Sequence, residues 1–126
     1  MSKLLSDNEA TGQTKELFDE IKKKMGMVPN FFRAQAANDP EWAKINFNRW
    51  KYVMGETHKL DRKTKELIAL AVSLVNRCEY CCNAHTMAAK MTGSSEEEIN
   101  EVKEVVELFE SFNSIADSLN VPGDNL

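Results

Sequence analysis

Apolar residues recur at helical intervals along most of the chain. Leu17, Phe18, Ile21 and Met25 share one face of a stretch that reads as a first helix over residues 7–25, stopped by Gly26. Met27-Val28-Pro29-Asn30 reads as a turn leading into a short helix over residues 31–37. Asp39-Pro40 is a strong start signal, an N-cap acid followed by proline at the first helical position. The helix it opens is expected to carry Trp42, Ile45, Trp50, Val53 and Met54 inward and to end near Gly55. Nothing alternates with period two, so no strand is expected.

Asp61 caps the next expected helix, which runs to about residue 76. Residues 67–75 are apolar all round, the pattern of a helix buried on every side. In so small a chain, complete burial points to cover from other subunits. Asn76-Arg77 bends the chain before a helix over about residues 78–91, closed by Gly93. Ser94 and Ser95, each three residues before Glu97 and Glu98, offer two overlapping capping boxes. A last helix runs toward Leu119, and Pro122-Gly123 ends order. The expectation is a single all-α domain over residues 1–126, a bundle of about six helices.

Composition agrees and narrows the function. With 126 residues, 42% of them hydrophobic, the chain is long enough for one packed core. Sixteen basic against 20 acidic residues leave a net charge of −4, which argues against a nucleic-acid binder or a clamp on anionic membranes. The apolar stretch 67–76 is half of the roughly 20 residues that a membrane span needs. The first residues lack the apolar run of a secretory signal, so a cytoplasmic protein is expected. Cys78, Cys81 and Cys82 lie too close together to staple a secreted fold, and such a cluster points to chemistry or metal.

The informative run is Cys78-Glu79-Tyr80-Cys81-Cys82-Asn83-Ala84-His85. Cys78 and Cys81, three apart at a helix start, share a face and can approach disulfide distance. Unpaired N–H groups and the helix dipole there favour thiolate over thiol. His85 follows Cys81 by four residues, one turn on along the same face, where it can exchange a proton with the sulfur. A thiolate, a second thiol and a base are the parts of a peroxide- or disulfide-reducing centre. Glu66 stands near the start of the apolar helix. Burial would raise its pKa and make it a proton relay near neutral pH. The other reading is a solvated first-turn acid, which periodicity alone slightly favours.

Glu66, eleven residues, Cys78, two residues, Cys81, three residues, His85 resembles the signature of the alkylhydroperoxidase D-like group of the carboxymuconolactone decarboxylase superfamily. The run from Gly26 to Phe32 and Asp39-Pro40 resemble its upstream segments, so the likeness spans roughly residues 25–102. The resemblance implies an all-helical homo-oligomer, a trimer or hexamer, that reduces hydroperoxides through a dithiol/disulfide cycle. It implies Cys81 as the peroxidatic cysteine, Cys78 as the resolving one, and Glu66 and His85 as the proton relay. A thioredoxin-like reading makes Cys78 the nucleophile instead; the nearness of His85 favours Cys81. The substrate would be a hydroperoxide, the reductant an external dithiol of thioredoxin or lipoyl type, with no bound cofactor required. Tyr80 stands where the group's mycobacterial representative has a histidine. A phenol with pKa near 10 donates a hydrogen bond but is a poor base, so Tyr80 is an orienting donor. Cys82 reads as a small apolar residue, or as a second thiol for exchange or metal.

Rival readings use the same residues. Four N/S ligands from one short helix enclose a tetrahedral zinc poorly, and no second cysteine pair is present to complete such a site. A di-iron carboxylate centre lacks its Glu-x-x-His pair. Lactone decarboxylation, the superfamily's other chemistry, does not use the cysteine pair. A thiol–disulfide oxidoreductase and a non-catalytic redox-responsive oligomer remain as alternatives. Elsewhere, Glu98, Glu101, Glu104, Glu107 and Glu110 read as a solvated acidic face and Lys22-Lys23-Lys24 as a charged helix end. Trp42 and Trp50 read as core, and His58 as an exposed turn residue.

Overall fold

A computed structural model describes residues 1–56 and 59–124; His58 lies outside them. Among the described residues there is no strand, and the elements are α1 (Gly12–Met25), α2 (Asn30–Asn38), α3 (Pro40–Trp50), a π-helical turn (Lys51–Glu56), α4 (Arg62–Val75), α5 (Glu79–Met91) and α6 (Glu96–Ser118). The chain forms two compact units, residues 1–57 and 58–126. None of the described helices is long and apolar enough to cross a membrane.

The first unit is built on apolar contact. Leu17, Phe18 and Ile21 of α1 are buried as expected, and Gly26 ends the helix at φ 81°. That helix begins at Gly12 rather than Asp7. Ser6 and Glu9 close a separate turn, in which the Ser6 N–H donates to Glu9 Oε2 and the Glu9 N–H to Ser6 Oγ. Asp7 is drawn away to Lys22 and Arg33, at 2.7 and 2.8 Å. Asp39 caps α3 through the N–H groups of Glu41 and Trp42, with Pro40 in the first turn. The inward face of α3 differs from the expectation. Ala43 and Phe47 are buried, while Trp42, Ile45 and Val53 are exposed and Trp50 and Met54 half-buried. Phe47 sets this rotation, meeting Phe32 edge-on at 5.5 Å and stacking on Trp50 at 5.8 Å. The π-helical turn then changes the residue angle and carries Val53 out of line.

In the second unit, Asp61 caps α4 through the Thr64 N–H. The buried residues of α4 are Glu66, Leu70 and Ser73. Burial on every side does not occur within one chain, since Ile68, Val72 and Val75 are exposed. Leu70, Ala89 and Ile99 form the core, with Leu67, Leu74 and Val102 packed against it.

Two corners follow one rule. After α4, Arg77 takes the left-handed conformation (φ 54°); its N–H bonds to Leu74 O and that of Cys78 to Ser73 O. After α5, Gly93 does the same (φ 97°), its N–H bonding to Lys90 O and that of Ser94 to Ala89 O. Both are Schellman closures, which satisfy the last carbonyls of the helix. Ser94 is consumed by that turn, buried with its hydroxyl unbonded. Only Ser95 and Glu98 form a capping box, where two overlapping ones were expected. The acidic face of α6 is exposed, except that Glu98 is half-buried and bonds Lys63 at 2.6 Å.

Candidate active site

The corner between α4 and α5 has no spare residue. Cys78 closes the Schellman turn of α4 and is also the N-cap of α5. Its Sγ accepts the N–H of Cys81 at 3.2 Å. Cys78 and Cys81 are joined as a disulfide, with Cα atoms 5.2 Å apart. The helical spacing thus brings together the two thiols that the sequence paired. Cys82, next along, is a half-buried free cysteine, and Tyr80 is exposed.

One turn beyond Cys81, His85 is anchored across to α4, where its Nδ1 lies 2.8 Å from Glu66 Oε2. The other oxygen of Glu66 is taken by Arg62, from Nε at 2.8 Å and Nη2 at 2.7 Å. Glu66 is only 1% exposed, which overturns the solvated reading. The expected pKa shift is overturned too. Burial pushes the carboxyl up and is the largest single influence, but the hydrogen bonds of His85 and Arg62, with their charges, together bring it below the ordinary 4.5. Glu66 is therefore ionised at neutral pH and accepts only. The proton of this contact then sits on His85 Nδ1, leaving Nε2 outside the contact.

Arg62 was missed by the sequence reading. It lies four residues before Glu66, but a cation in the first turn of a helix opposes the dipole and reads as surface decoration. The depth of Glu66 gives it its purpose: a buried carboxylate needs paired donors on both oxygens. Among the described residues, no three His, Cys, Asp or Glu side chains converge as metal ligands do.

The profile of the Carboxymuconolactone decarboxylase family matches residues 40–122. Among solved structures, the chain is similar to the alkylhydroperoxidase AhpD core of Rhodospirillum rubrum, with a TM-score of 0.92 and 34% identity over 98% of this chain and 93% of that one. Curated relatives include the uncharacterized protein YdfG of Bacillus subtilis, 37% identical over 60 residues (48% of this chain, 40% of YdfG). An uncharacterized Haemophilus influenzae protein is 34% identical over 81 residues, 64% of this chain and 58% of that protein. The chain thus spans about half the length of these curated relatives.

Proposed function

The chain belongs to the carboxymuconolactone decarboxylase family, and from that membership we propose that it is a thiol-dependent peroxidase with an alkylhydroperoxidase-like cycle. The observation that carries the reading is a dithiol/disulfide pair one helical turn from a histidine whose other face is locked by a buried, ionised glutamate.

In the proposed cycle His85 Nε2 takes the proton of the Cys81 thiol. The thiolate attacks the terminal oxygen of a hydroperoxide, the O–O bond breaks, and the departing alkoxide takes the proton from His85 and leaves as the alcohol. Cys81 is now a sulfenic acid. His85 Nε2 then takes the proton of the Cys78 thiol, and the Cys78 thiolate attacks the sulfenic sulfur. The S–O bond breaks, and the departing hydroxide takes that proton from His85 and leaves as water while the disulfide forms. An external dithiol of thioredoxin or lipoyl type reduces it by two exchanges and is itself oxidised. Glu66 keeps His85 in the working tautomer and balances its positive charge, Arg62 keeps Glu66 ionised, and Tyr80 serves as an orienting donor. The protein works as a homo-oligomer, a trimer or hexamer, in the cytoplasm.

A second reading rests on the Cys78 sulfur at the α5 N-cap, where the Cys81 N–H favours a thiolate. Cys78 would then attack first, as in a thiol–disulfide oxidoreductase. Intact mass of the reduced protein after one equivalent of cumene hydroperoxide separates the two. Rapid loss of both thiol hydrogens, blocked in Cys81→Ser and halted at one trappable sulfenic acid in Cys78→Ser, is the expected result. The reverse pattern supports Cys78 as nucleophile. Slow oxidation of the wild type removes the peroxidase reading.

A further inference from the structure

Cys82 is a free, half-buried cysteine that the proposed cycle leaves idle. Its place is set by Cys78, the N-cap of α5, whose carbonyl accepts the Cys82 N–H at 2.8 Å. Around the helix axis, Cys81 lies about 60° to one side of Cys78 and Cys82 about 40° to the other. The two are thus the i+3 and i+4 neighbours of one residue, and both positions meet it. Their Cα–Cβ bonds tilt toward the helix N-terminus, back toward Cys78. The Cα atoms of Cys78 and Cys81 stand 5.2 Å apart. Helical rise sets the Cα of Cys82 about 6 Å from that of Cys78, still within disulfide range. Packing does not claim this thiol either, since the buried residue of α5 is Ala89, two turns on.

We propose that Cys82 is a second partner for Cys78, and that the Cys78–Cys81 disulfide migrates to Cys78–Cys82. The Cys82 thiolate, favoured near the start of α5 by the helix dipole, attacks Cys78 Sγ. The Cys78–Cys81 bond breaks and its electron pair leaves on Cys81 Sγ. The proton that Cys82 loses is regained by Cys81, so the step is an isomerisation needing neither oxidant nor reductant. Cys78 is the sulfur attacked because adjacent Cα atoms stand about 3.8 Å apart, too close for an ordinary bridge between Cys81 and Cys82. The exchange asks for new side-chain torsions at the cysteines, with the backbone already in range.

The consequence for turnover rests on the peroxidase reading; the migration itself does not. Migration returns Cys81 as a thiol while the oxidising equivalent is kept between Cys78 and Cys82. Cys81 is then open to a second hydroperoxide, whose O–O bond breaks to give the alcohol and a Cys81 sulfenic acid. One chain takes up two equivalents before an external dithiol arrives.

Glutathione reads the migration without any peroxide. Full-length Cys81→Ser, equilibrated with oxidised glutathione, is expected to lose two hydrogens as a Cys78–Cys82 disulfide. A variant that ends only as mixed disulfides with glutathione overturns the proposal. In the oxidised wild type, N-ethylmaleimide should label Cys81 as well as Cys82. The Cys81 share should be about one-hundredth or more, the mark of two disulfides within about a hundredfold in stability. Label on Cys82 alone overturns the proposal. Excess cumene hydroperoxide with dimedone then reads the consequence, with two equivalents consumed and the trapped sulfenic acid on Cys81. Cys82→Ser should stop at one equivalent, and dimedone on Cys82 in the wild type would overturn the role given to it. Slow oxidation by hydroperoxide beside a closed Cys78–Cys82 ring in glutathione would remove the peroxidase reading and keep the migration.

Discussion

The two units hold together by different means. In residues 1–57 a continuous apolar core runs from Ala10 through Phe18, Ile21 and Val28 to Phe32 and Phe47, with aromatic rings in contact. In residues 58–126 the fully buried apolar side chains are Leu70, Ala89 and Ile99, and beside them lie Glu66, Ser73 and Ser94. The first unit is packed oil; the second is a thin core organised around a buried charge. The proposed cycle needs a histidine held in one tautomer by a fixed carboxylate, and fixing that carboxylate displaces apolar contacts that would otherwise stabilise the fold. The second unit also leaves more apolar helix surface uncovered, along α4 and α6.

Substitutions can break or sharpen that contrast. The largest effect is expected in the first unit: Phe47→Ala should cost about 4 kcal/mol by guanidinium unfolding, because it empties the centre of an aromatic cluster. The peroxide rate per folded molecule should not change. A loss under about 1 kcal/mol would mean that this core is less tightly packed than its contacts imply.

Next comes Glu66→Gln, expected to cost about 2 kcal/mol near neutral pH, since an amide cannot accept from both His85 and Arg62 as a carboxylate does. Its pH dependence carries the sign. The folded carboxyl titrates below the ordinary 4.5, so its stabilisation is complete above that value. It is lost as the pH falls through the lowered folded value. The stability gap between wild type and variant should therefore close in acid, and a gap independent of pH would show that charge is not what holds the pair. The peroxide reaction should slow as well. The smallest effect has the opposite sign. Ser94→Ala removes a buried hydroxyl without a partner and should stabilise the second unit by about 1 kcal/mol in thermal unfolding.

What could be read from the sequence was local. Asp39-Pro40, Asp61, Gly26 and Gly93 work through groups a few residues away, so their helix ends fall where the chain alone places them. The pairing of Cys78 with Cys81 was legible for the same reason, being one helical turn. The face of α3 was not, because Phe32 in another helix decides it. Nor was the sign of the Glu66 shift, because the decisive donor His85 lies 19 residues along the chain. The sequence around Glu66 allowed burial, although its periodicity slightly favoured a solvated acid. It could not announce what burial would bring into contact with it.

The corner at Cys78 has a consequence for how this chain can change length. Since one residue both closes α4 and opens α5, there is no slack between the helix that carries Glu66 and the one that carries His85. A substitution at Asn76 or Arg77 alters the comfort of the turn. An inserted residue cannot be absorbed as a longer loop; it must be taken up by one helix or the other, at about 100° of rotation and 1.5 Å of rise. Either choice turns Glu66 away from His85, whose own spacing from the cysteines along α5 is unchanged. The eleven-residue interval from Glu66 to Cys78 is thus a mechanical dimension of the part: insertions and deletions belong in the turns before α4 or beyond α6.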